Sequence, residues 1–270
     1  LEYGAPGTQW NVYADGVYVG DSPLGPFTYA SYNPISYKPG GFLNGAGHGS
    51  TVKDFNGNYW HFATMPILVN YKFERRIGMY PAGFEEDGQM YVNTAYGDYP
   101  HYVSNIKTET PKNRFSGWML LSYNKPVETN APLSKIHAKT IEETEKGYAP
   151  EKLAEEYDVS KITDENIRSF WVSDNNNDSI YVAVDLGREM EIKAVQINFQ
   201  DVNSEVLGRP DNLKHQFIIE TSLDNKNWEV AADYTKNEKD QPHAYIEFNK
   251  EVMARYVRYN HVFCSNKYLA

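Results

Sequence analysis

A single histidine, His48, lies inside the run Gly45-Ala46-Gly47-His48-Gly49-Ser50. Small residues on both sides let other backbone segments approach closely, and glycine also adopts positive φ. An imidazole at such a point can bind a metal ion, contact a substrate or be satisfied by neighbouring backbone groups. The residue types alone leave these three roles open, so the surrounding elements decide which chemistry is feasible.

Short strands separated by turns must position this histidine. Residues 50–54 and 59–64 flank Phe55-Asn56-Gly57-Asn58, where Asn-Gly predicts a β-hairpin. Residues 76–80 and 89–93 form a second such pair. Strand signals recur about every ten residues without a helical period, which predicts an all-β sandwich, barrel or propeller.

The first region resembles glycoside hydrolase family 43, the five-bladed β-propeller enzymes that act on arabinose-, xylose- or galactose-type linkages. Three segments carry the resemblance: residues 13–27, which end in Asp21-Ser22-Pro23-Leu24-Gly25-Pro26-Phe27, residues 45–64 around His48, and residues 75–84 with Asp87-Gly88. The resemblance implies that residues 1–124 form the last blades of such a propeller.

The resemblance also implies an inverting mechanism, in which one carboxylic acid protonates the leaving oxygen and one carboxylate activates a water. In the family these groups come from the first three blades, which would precede Leu1. We therefore expect no catalytic residue within the chain, and we expect the 270-residue chain alone to be inactive.

The resemblance assigns the wall of a sugar pocket to this region. His48 matches the family histidine at the propeller axis, which implies substrate binding and a share in holding a central cation. Arg75 or Arg76 matches an arginine that reaches the pocket. Because adjacent strand residues face opposite ways, only one of the two can point inward. The remaining candidate substrate-binding residues are Gln9, Trp10 and Asn11.

The second half resembles the discoidin, or coagulation factor C-type, domain. An ordered set of motifs carries this resemblance: Asp164-x-Asn166 before Phe170-Trp171, Val184-Asp185-Leu186-Gly187, Glu220-x-Ser222-x-Asp224 before Trp228, and Ala254-Arg255-Tyr256-Val257-Arg258. The resemblance implies an antiparallel jelly-roll sandwich over residues 146–270, whose last strand would follow Ala270. In bacterial glycosidases this domain is commonly a carbohydrate-binding appendage.

Two further features concern the connection between the domains and a candidate metal loop. Proline-marked polar sequence over residues 125–145 predicts a linker.

Asp164, Asn166 and Ser169 are candidate calcium ligands, since calcium prefers hard oxygen donors. The alternative for these three residues is a turn held by Asx hydrogen bonds. Calcium, at this loop or at the propeller axis, is the expected cofactor, and no organic cofactor is expected.

Composition narrows the class of partner. The formal net charge of −10 disfavours nucleic-acid phosphates and anionic membrane surfaces, and no apolar run is long enough to span a bilayer. The 22 tyrosines combine a flat apolar ring with a polar tip, which suits sugar stacking. An oligo- or polysaccharide is therefore the expected partner, while the sequence sets no oligomeric state.

These expectations combine into an all-β protein, a partial five-bladed β-propeller followed by a discoidin-like antiparallel jelly-roll sandwich. The expected function is that of a secreted, periplasmic or cell-surface glycosidase with an appended carbohydrate-binding module. Its substrates would be arabinosyl, xylosyl or galactosyl side chains of plant-type polysaccharides. The alternative is a non-catalytic glycan-binding protein of the same architecture.

Overall fold

The computed structural model describes residues 1–4, 13–38, 43, 45–66, 75–95, 97–98, 103, 119–132, 134, 157–166, 169–173, 177–200, 213–266 and 269. The chain divides into two compact units, Leu1–Met119 and Leu120–Ala270. Within the described residues the regular elements are thirteen β-strands and one 3-10 helix, Val159–Thr163. The predicted all-β class is confirmed.

The first unit contains two four-stranded antiparallel sheets. In the first sheet β2 pairs with all three other strands, which are β1 (Glu2–Gly4), β2 (Ala14–Val19), β3 (Thr28–Tyr29) and β4 (Ser36–Tyr37). The second sheet is a meander in sequence order, with β5 (Gly47–Lys53), β6 (Tyr59–Pro66), β7 (Arg75–Phe84) and β8 (Met90–Val92). Asp54 stabilises the turn between β5 and β6 by accepting the backbone N–H groups of Asn56 and Asn58.

The two sheets of the first unit pack through their apolar inner faces. Val17 of β2, Ala30 and Ile35 form one buried cluster with Met90 of β8. Alternation along β2 places Asp15 on the same inner face as Val17, and Asp15 is also buried. Two packed four-stranded sheets do not by themselves establish the five-bladed propeller, which stays a prediction.

The second unit is a jelly-roll-like sandwich built on one five-stranded antiparallel sheet. The strand order is β12-β11-β13-β10-β9. These strands are β9 (Val127–Thr129), β10 (Tyr181–Asn198), β11 (His215–Ser222), β12 (Glu229–Asp233) and β13 (His243–Cys264). The long strands β10 and β13 pair along most of their length, with register shifts after Asp185 and after Ile192. Such irregularities bend a strand, so one strand can serve successive parts of a sandwich.

Among the described residues of the second unit, three apolar clusters are buried, and both long strands contribute to more than one of them. Val182 of β10 packs with Trp171, whereas Ile192 of the same strand packs with Ala254 of β13. Ile246 of β13 belongs to the third cluster. The full third cluster of buried side chains is Phe199, Phe217, Ile219, Ala244 and Ile246.

Only residues 125–132 and 134 of the predicted linker, 125–145, lie within the described residues, so the linker stays a prediction. Val127–Thr129, inside the segment 125–145, is strand β9 and pairs with β10 through Val127 and Val184. The unit boundary falls between Met119 and Leu120 rather than after residue 124. Proline is tolerated beside an edge strand because one row of its backbone groups is unpaired, so Pro126 and Pro132 can lie on either side of the short strand β9.

No helix in the described part of the chain is long and apolar enough to cross a membrane.

Candidate functional site

His48 lies on an irregular part of β5, and its side chain is exposed. Gly47 pairs with Thr64 and Ser50 pairs with Phe62, so β5 carries one extra residue between these two pairs. His48 has φ 55° and Ala46 has φ 79°, both in the left-handed region that non-glycine residues seldom adopt. The histidine singled out by the sequence is therefore displayed by a β-bulge in which it adopts left-handed backbone, and a second left-handed residue, Ala46, immediately precedes the strand.

A buried carboxylate–imidazole pair lies directly behind this bulge. Asp15 Oδ2 is 3.1 Å from His61 Nε2, and it also accepts the Gly49 N–H at 2.7 Å. The other ring nitrogen, Nδ1, is 2.9 Å from the Thr51 hydroxyl oxygen. Asp15 and His61 are 1% and 0% exposed. If the His61 ring carries its proton on Nε2, that nitrogen donates a hydrogen bond to Asp15 and Nδ1 accepts a hydrogen bond from the Thr51 hydroxyl.

The crowding expected from the small residues is present in the structure. A Cβ added to Gly49 would lie 2.4 Å from Asp15 Oδ2 and 2.5 Å from His61 Nε2. A Cβ added to Gly4 of β1 would lie 3.1 Å from the backbone nitrogen of His48. Glycine is required at position 49 because any larger residue would displace the buried pair.

Sequence reasoning missed this pair. Neither Asp15 nor His61 is among the site residues predicted from the sequence. The available signal was an ionisable residue on the inner, apolar face of β2, where burial of an unpaired carboxylate is costly. That signal predicts that Asp15 has a buried partner. It does not identify His61 as the partner, because His61 lies on another sheet.

The two candidate arginines begin β7. Both are exposed, and Arg76 Nη1 donates to the Arg75 carbonyl oxygen at 3.2 Å. Arg76 pairs with Met65 and Arg75 with Pro66, so the two side chains leave opposite faces of the sheet, as expected. The register places both at the same end of the second sheet as His48, two strands away. Gln9, Trp10 and Asn11 lie outside the described residues.

The candidate calcium loop is a compact turn that follows the 3-10 helix. Asp164 Oδ1 accepts the Asn166 N–H at 3.1 Å, and the Ser169 hydroxyl donates to Asp164 Oδ2 at 2.6 Å. These are the Asx hydrogen bonds of the alternative interpretation, and they bring the three predicted ligands together. No group of three or more His, Cys, Asp or Glu side chains that could hold a metal ion occurs in the described residues. Calcium binding stays a prediction.

The charged motif residues of the second unit bind one another. Arg258 Nε and Nη2 donate to Glu220 Oε2 at 2.8 and 2.6 Å, and its guanidinium carbon lies 3.9 Å from the centroid of the Trp228 ring. Arg255 donates two hydrogen bonds of 2.8 Å to Asp185, which lowers the pKa of that carboxyl group. The motif residue Trp228 thus stacks on a guanidinium.

The charged residues of the second-unit motifs therefore have a structural role, because they bond neighbouring strands to one another. Each charged pair joins neighbouring strands, β11 to β13 and β10 to β13. The remaining polar side chains that could meet a ligand are those of the connecting segments.

One such segment precedes β10. Asn177 Oδ1 accepts the Ser179 N–H and hydroxyl, both at 3.1 Å. The Asn130 side-chain amide donates to the Ser179 carbonyl at 2.7 Å, and its Oδ1 accepts the Tyr181 N–H at 2.9 Å. This loop, residues 177–179 with Asn130, lies at one end of β10. Its amide and hydroxyl groups bond to one another and to the backbone beside the exposed carboxylate of Asp178.

Residues 141–266 match the F5/8 type C domain family. The second unit thus carries an F5/8 type C, discoidin-like domain, in agreement with the resemblance seen in the sequence. The match does not extend to the first unit, so the relation of that unit to glycoside hydrolase family 43 stays a resemblance.

Several solved structures resemble the chain. Chitosan-binding module 2 of a chitosanase/glucanase from Paenibacillus sp. IK-5, in complex with chitotriose, shows 17% identity over 56% of this chain and 95% of that chain (TM-score 0.40). A CBM32 module of a family 31 glycoside hydrolase from Clostridium perfringens shows 17% identity over 55% and 91% (TM-score 0.38).

A further structure, described as a glycoside hydrolase, shows 18% identity over 99% of this chain and 55% of its own length (TM-score 0.44). All three TM-scores are below 0.5, so these similarities identify neither a ligand nor an activity for this chain. No curated protein sequence matches the chain significantly.

Proposed function

We propose that the chain binds a neutral oligo- or polysaccharide through its F5/8 type C domain. The observation that carries the proposal is the family match over residues 141–266 on a jelly-roll-like sandwich. The net charge of −10 opposes anionic ligands, and neutral sugars are recognised by amides, hydroxyls and aromatic faces. The amides and hydroxyls of the Asn130 and 177–179 loop are suited to such a ligand.

The binding proposal is tested by titrating the full chain with a panel of neutral glycans in a calorimeter. The panel contains chitotriose, xylo-oligosaccharides, arabino-oligosaccharides and galacto-oligosaccharides. Hydrogen exchange then locates the bound sugar, with protection expected in the second unit. Asn177→Ala should weaken binding at least fivefold, because one lost hydrogen bond is worth about 1 kcal/mol.

Asn198→Ala is the matched control, since Asn198 is an exposed asparagine at the other end of β10. Its affinity should equal that of the wild type. Absence of binding to every glycan, or protection confined to residues 1–119, would contradict the proposal.

As a finer proposal, we infer that the chain is part of an inverting glycosidase of the family 43 type, acting on arabinosyl, xylosyl or galactosyl linkages. His48 at an exposed bulge, with Arg75 and Arg76 at the same sheet end, supports this assignment. In this proposal, the His48 imidazole and the guanidinium of Arg75 or Arg76 contact sugar hydroxyls. A secreted, periplasmic or cell-surface location fits a polysaccharide substrate and belongs to the same proposal.

Sugar contact at His48 is tested by following its imidazole resonances while arabinose or xylose oligosaccharides are added. Shifts that disappear in Arg76→Ala support the glycosidase proposal, and turnover of aryl arabinofuranosides, xylosides and galactosides is measured alongside. Unchanged His48 resonances, together with glycan binding by the second unit, favour the non-catalytic glycan-binding alternative.

Calcium binding at the Asp164 loop is a separate proposal. The Asp164 carboxylate and the Ser169 hydroxyl meet there, and the Asn166 backbone bonds to both side chains. Such oxygen ligands suit calcium. Calcium should raise the thermal midpoint of the wild type by several degrees relative to a chelator, and it should not do so in Asp164→Asn. Equal thermal midpoints with and without calcium would contradict the calcium proposal and would mean that Asx hydrogen bonds alone hold this loop.

A further inference from the structure

The bulge that displays His48 is energetically unfavourable by itself. Left-handed backbone brings Cβ too close to the following carbonyl oxygen in any residue but glycine, and Ala46 and His48 both adopt it. Residues held in this way persist where surrounding contacts impose them, and they cluster at functional sites. Some contact near His48 must therefore compensate for the strain.

The contacts that hold the bulge converge on Asp15. Its Oδ2 accepts the N–H of Gly49, the residue immediately after His48. The same oxygen meets His61, whose other nitrogen meets the Thr51 hydroxyl. Asp15 and His61 thus hold β5 by hydrogen bonds at residues 49 and 51, which follow His48.

The chemistry of Asp15 indicates that it is present as an acceptor rather than as packing. Its other oxygen, Oδ1, is buried and has no hydrogen-bond partner within the described residues. An unsatisfied buried oxygen is costly, and neighbouring positions of the inner face carry apolar side chains such as Val17. Retaining a carboxylate there is explained by the bonds that Oδ2 makes to Gly49 and His61.

The bulge also determines where the imidazole points. An extra residue in one strand shifts the alternation of the strand and re-aims a side chain, and such bulges are enriched beside active sites. Without it, residues 47 and 50 would face opposite sides of the sheet, yet they pair with Thr64 and Phe62, which share one side. The exposed orientation of His48 depends on this shift.

We infer that Asp15, supported by His61, is a positioning residue that holds the left-handed bulge and thereby presents His48 to ligand. The inference rests on the sugar-contacting role proposed for His48, but the bulge itself is measurable without any sugar. Asp15 touches no ligand in this account; it acts through Gly49.

Two variants of Asp15 separate acceptor geometry from packing. Asp15→Asn keeps an oxygen for Gly49 and His61 and places its amide at the unpartnered Oδ1 position. Asp15→Leu has nearly the same shape and offers no acceptor. The first readout is the exchange protection of the Gly49 N–H measured by NMR on the full chain. Protection should fall at least tenfold in Asp15→Leu and stay within threefold of wild type in Asp15→Asn.

The second readout couples Asp15 to the backbone of His48. His48→Gly relieves left-handed strain, so it should raise the folding equilibrium constant of the first unit about fivefold. The same gain is expected in the Asp15→Asn background. No gain is expected with Asp15→Leu, because the released bulge has already relaxed. Equal gains in both backgrounds would overturn the inference.

Thr51→Val gives a milder test should Asp15→Leu fail to fold. It removes the hydroxyl that meets His61 Nδ1, and Gly49 protection should fall about threefold. Ser50→Ala, an exposed neighbour on the same strand, is the control and should leave protection unchanged. Equal protection in Thr51→Val and Ser50→Ala would contradict the inference.

The functional readout is the response of His48 resonances to arabinose or xylose oligosaccharides. The response should be lost in Asp15→Leu and retained in Asp15→Asn. If the wild type itself shows no response, the sugar-contacting role of His48 fails, while the protection and coupling measurements still decide whether Asp15 holds the bulge.

Discussion

Replacing Arg258 with methionine should destabilise the second unit by about 3 kcal/mol. Methionine keeps the apolar stem of the side chain but removes the guanidinium. Glu220 then loses both charge-assisted bonds, and its remaining donor in the part of the chain that the structure describes is the Asn260 amide. Trp228 loses the cation stacked on its ring.

The magnitude follows from three contributions. A hydrogen bond to a charged group is worth about 1.5–3 kcal/mol, and the two bonds from Arg258 share one acceptor oxygen. The cation–π contact adds about 1 kcal/mol. The side chains of Arg258 and Glu220 are 22% and 16% exposed, so water screens the pair only partly, and the carboxylate left behind is poorly solvated.

The assay must report on the second unit alone, because two units need not unfold together. Native-state hydrogen exchange of peptides from β11 and β13 provides this local measure. A loss of about 3 kcal/mol corresponds to an opening constant roughly 150-fold larger. Urea denaturation followed by circular dichroism gives a second, global estimate.

Glu191→Gln is the control for ion pairing in general. Glu191 bonds Lys193 on the same strand, and both side chains are almost half exposed, so its loss should cost less than about 0.5 kcal/mol. If Arg258→Met costs no more than Glu191→Gln, the stacked pair does not stabilise the sandwich and the reasoning is wrong.

Three further outcomes are expected. Gly49→Ala should destabilise the first unit by about 1–3 kcal/mol, since its methyl would overlap the Asp15 carboxylate; an unchanged thermal midpoint would contradict this. Tyr80→Phe should be neutral or stabilising by up to about 1 kcal/mol, because the buried hydroxyl has no hydrogen-bond partner within the described residues; a clear loss in urea denaturation would reveal one. Asp185 has a lowered pKa because of Arg255, so its contribution to stability is present above the unfolded pKa of about 3.9. That contribution is lost as pH falls through the folded pKa, and Arg255→Gln should flatten the acid limb of a stability–pH curve.

Local sequence signals predicted the elements that local interactions determine. The Asn56-Gly57 turn predicted a hairpin, and β5 and β6 flank it as expected. The ordered motifs of the second half predicted a discoidin-like sandwich, which the family match confirms. In these cases the information lies within a few residues, because turn geometry and strand alternation are short-range properties.

Pairs that join distant strands could not be predicted in the same way. Asp15 meets His61 and Arg258 meets Glu220 only after strand register is set. The bulge at His48 likewise depends on how β5 aligns with β6, which one extra residue changes. Such contacts are properties of the assembled sheets, so a single sequence shows the ionisable residues without their partners.

Edge strands were also hard to recognise from sequence. Val127–Thr129 is only three residues long and follows a proline, which suggested a linker. Its assignment to β9 depends on β10 offering a free edge, where the Pro126 carbonyl accepts the Asp185 N–H. The prolines therefore mark an interruption of the chain in which three residues still form a strand.

The pairing of β10 with β13 has a consequence for the order of folding. These two strands form the longest ladder of the second unit, yet β11 and β12 lie between them in the chain. The β11–β12 hairpin closes only a short loop, so it can form within microseconds. The β10–β13 ladder must first close a long loop, and non-local antiparallel pairing of this kind folds on millisecond-to-second timescales. We therefore expect the central ladder to form after the β11–β12 hairpin, which pulse-labelling hydrogen exchange during refolding would show as later protection of β10 than of β12.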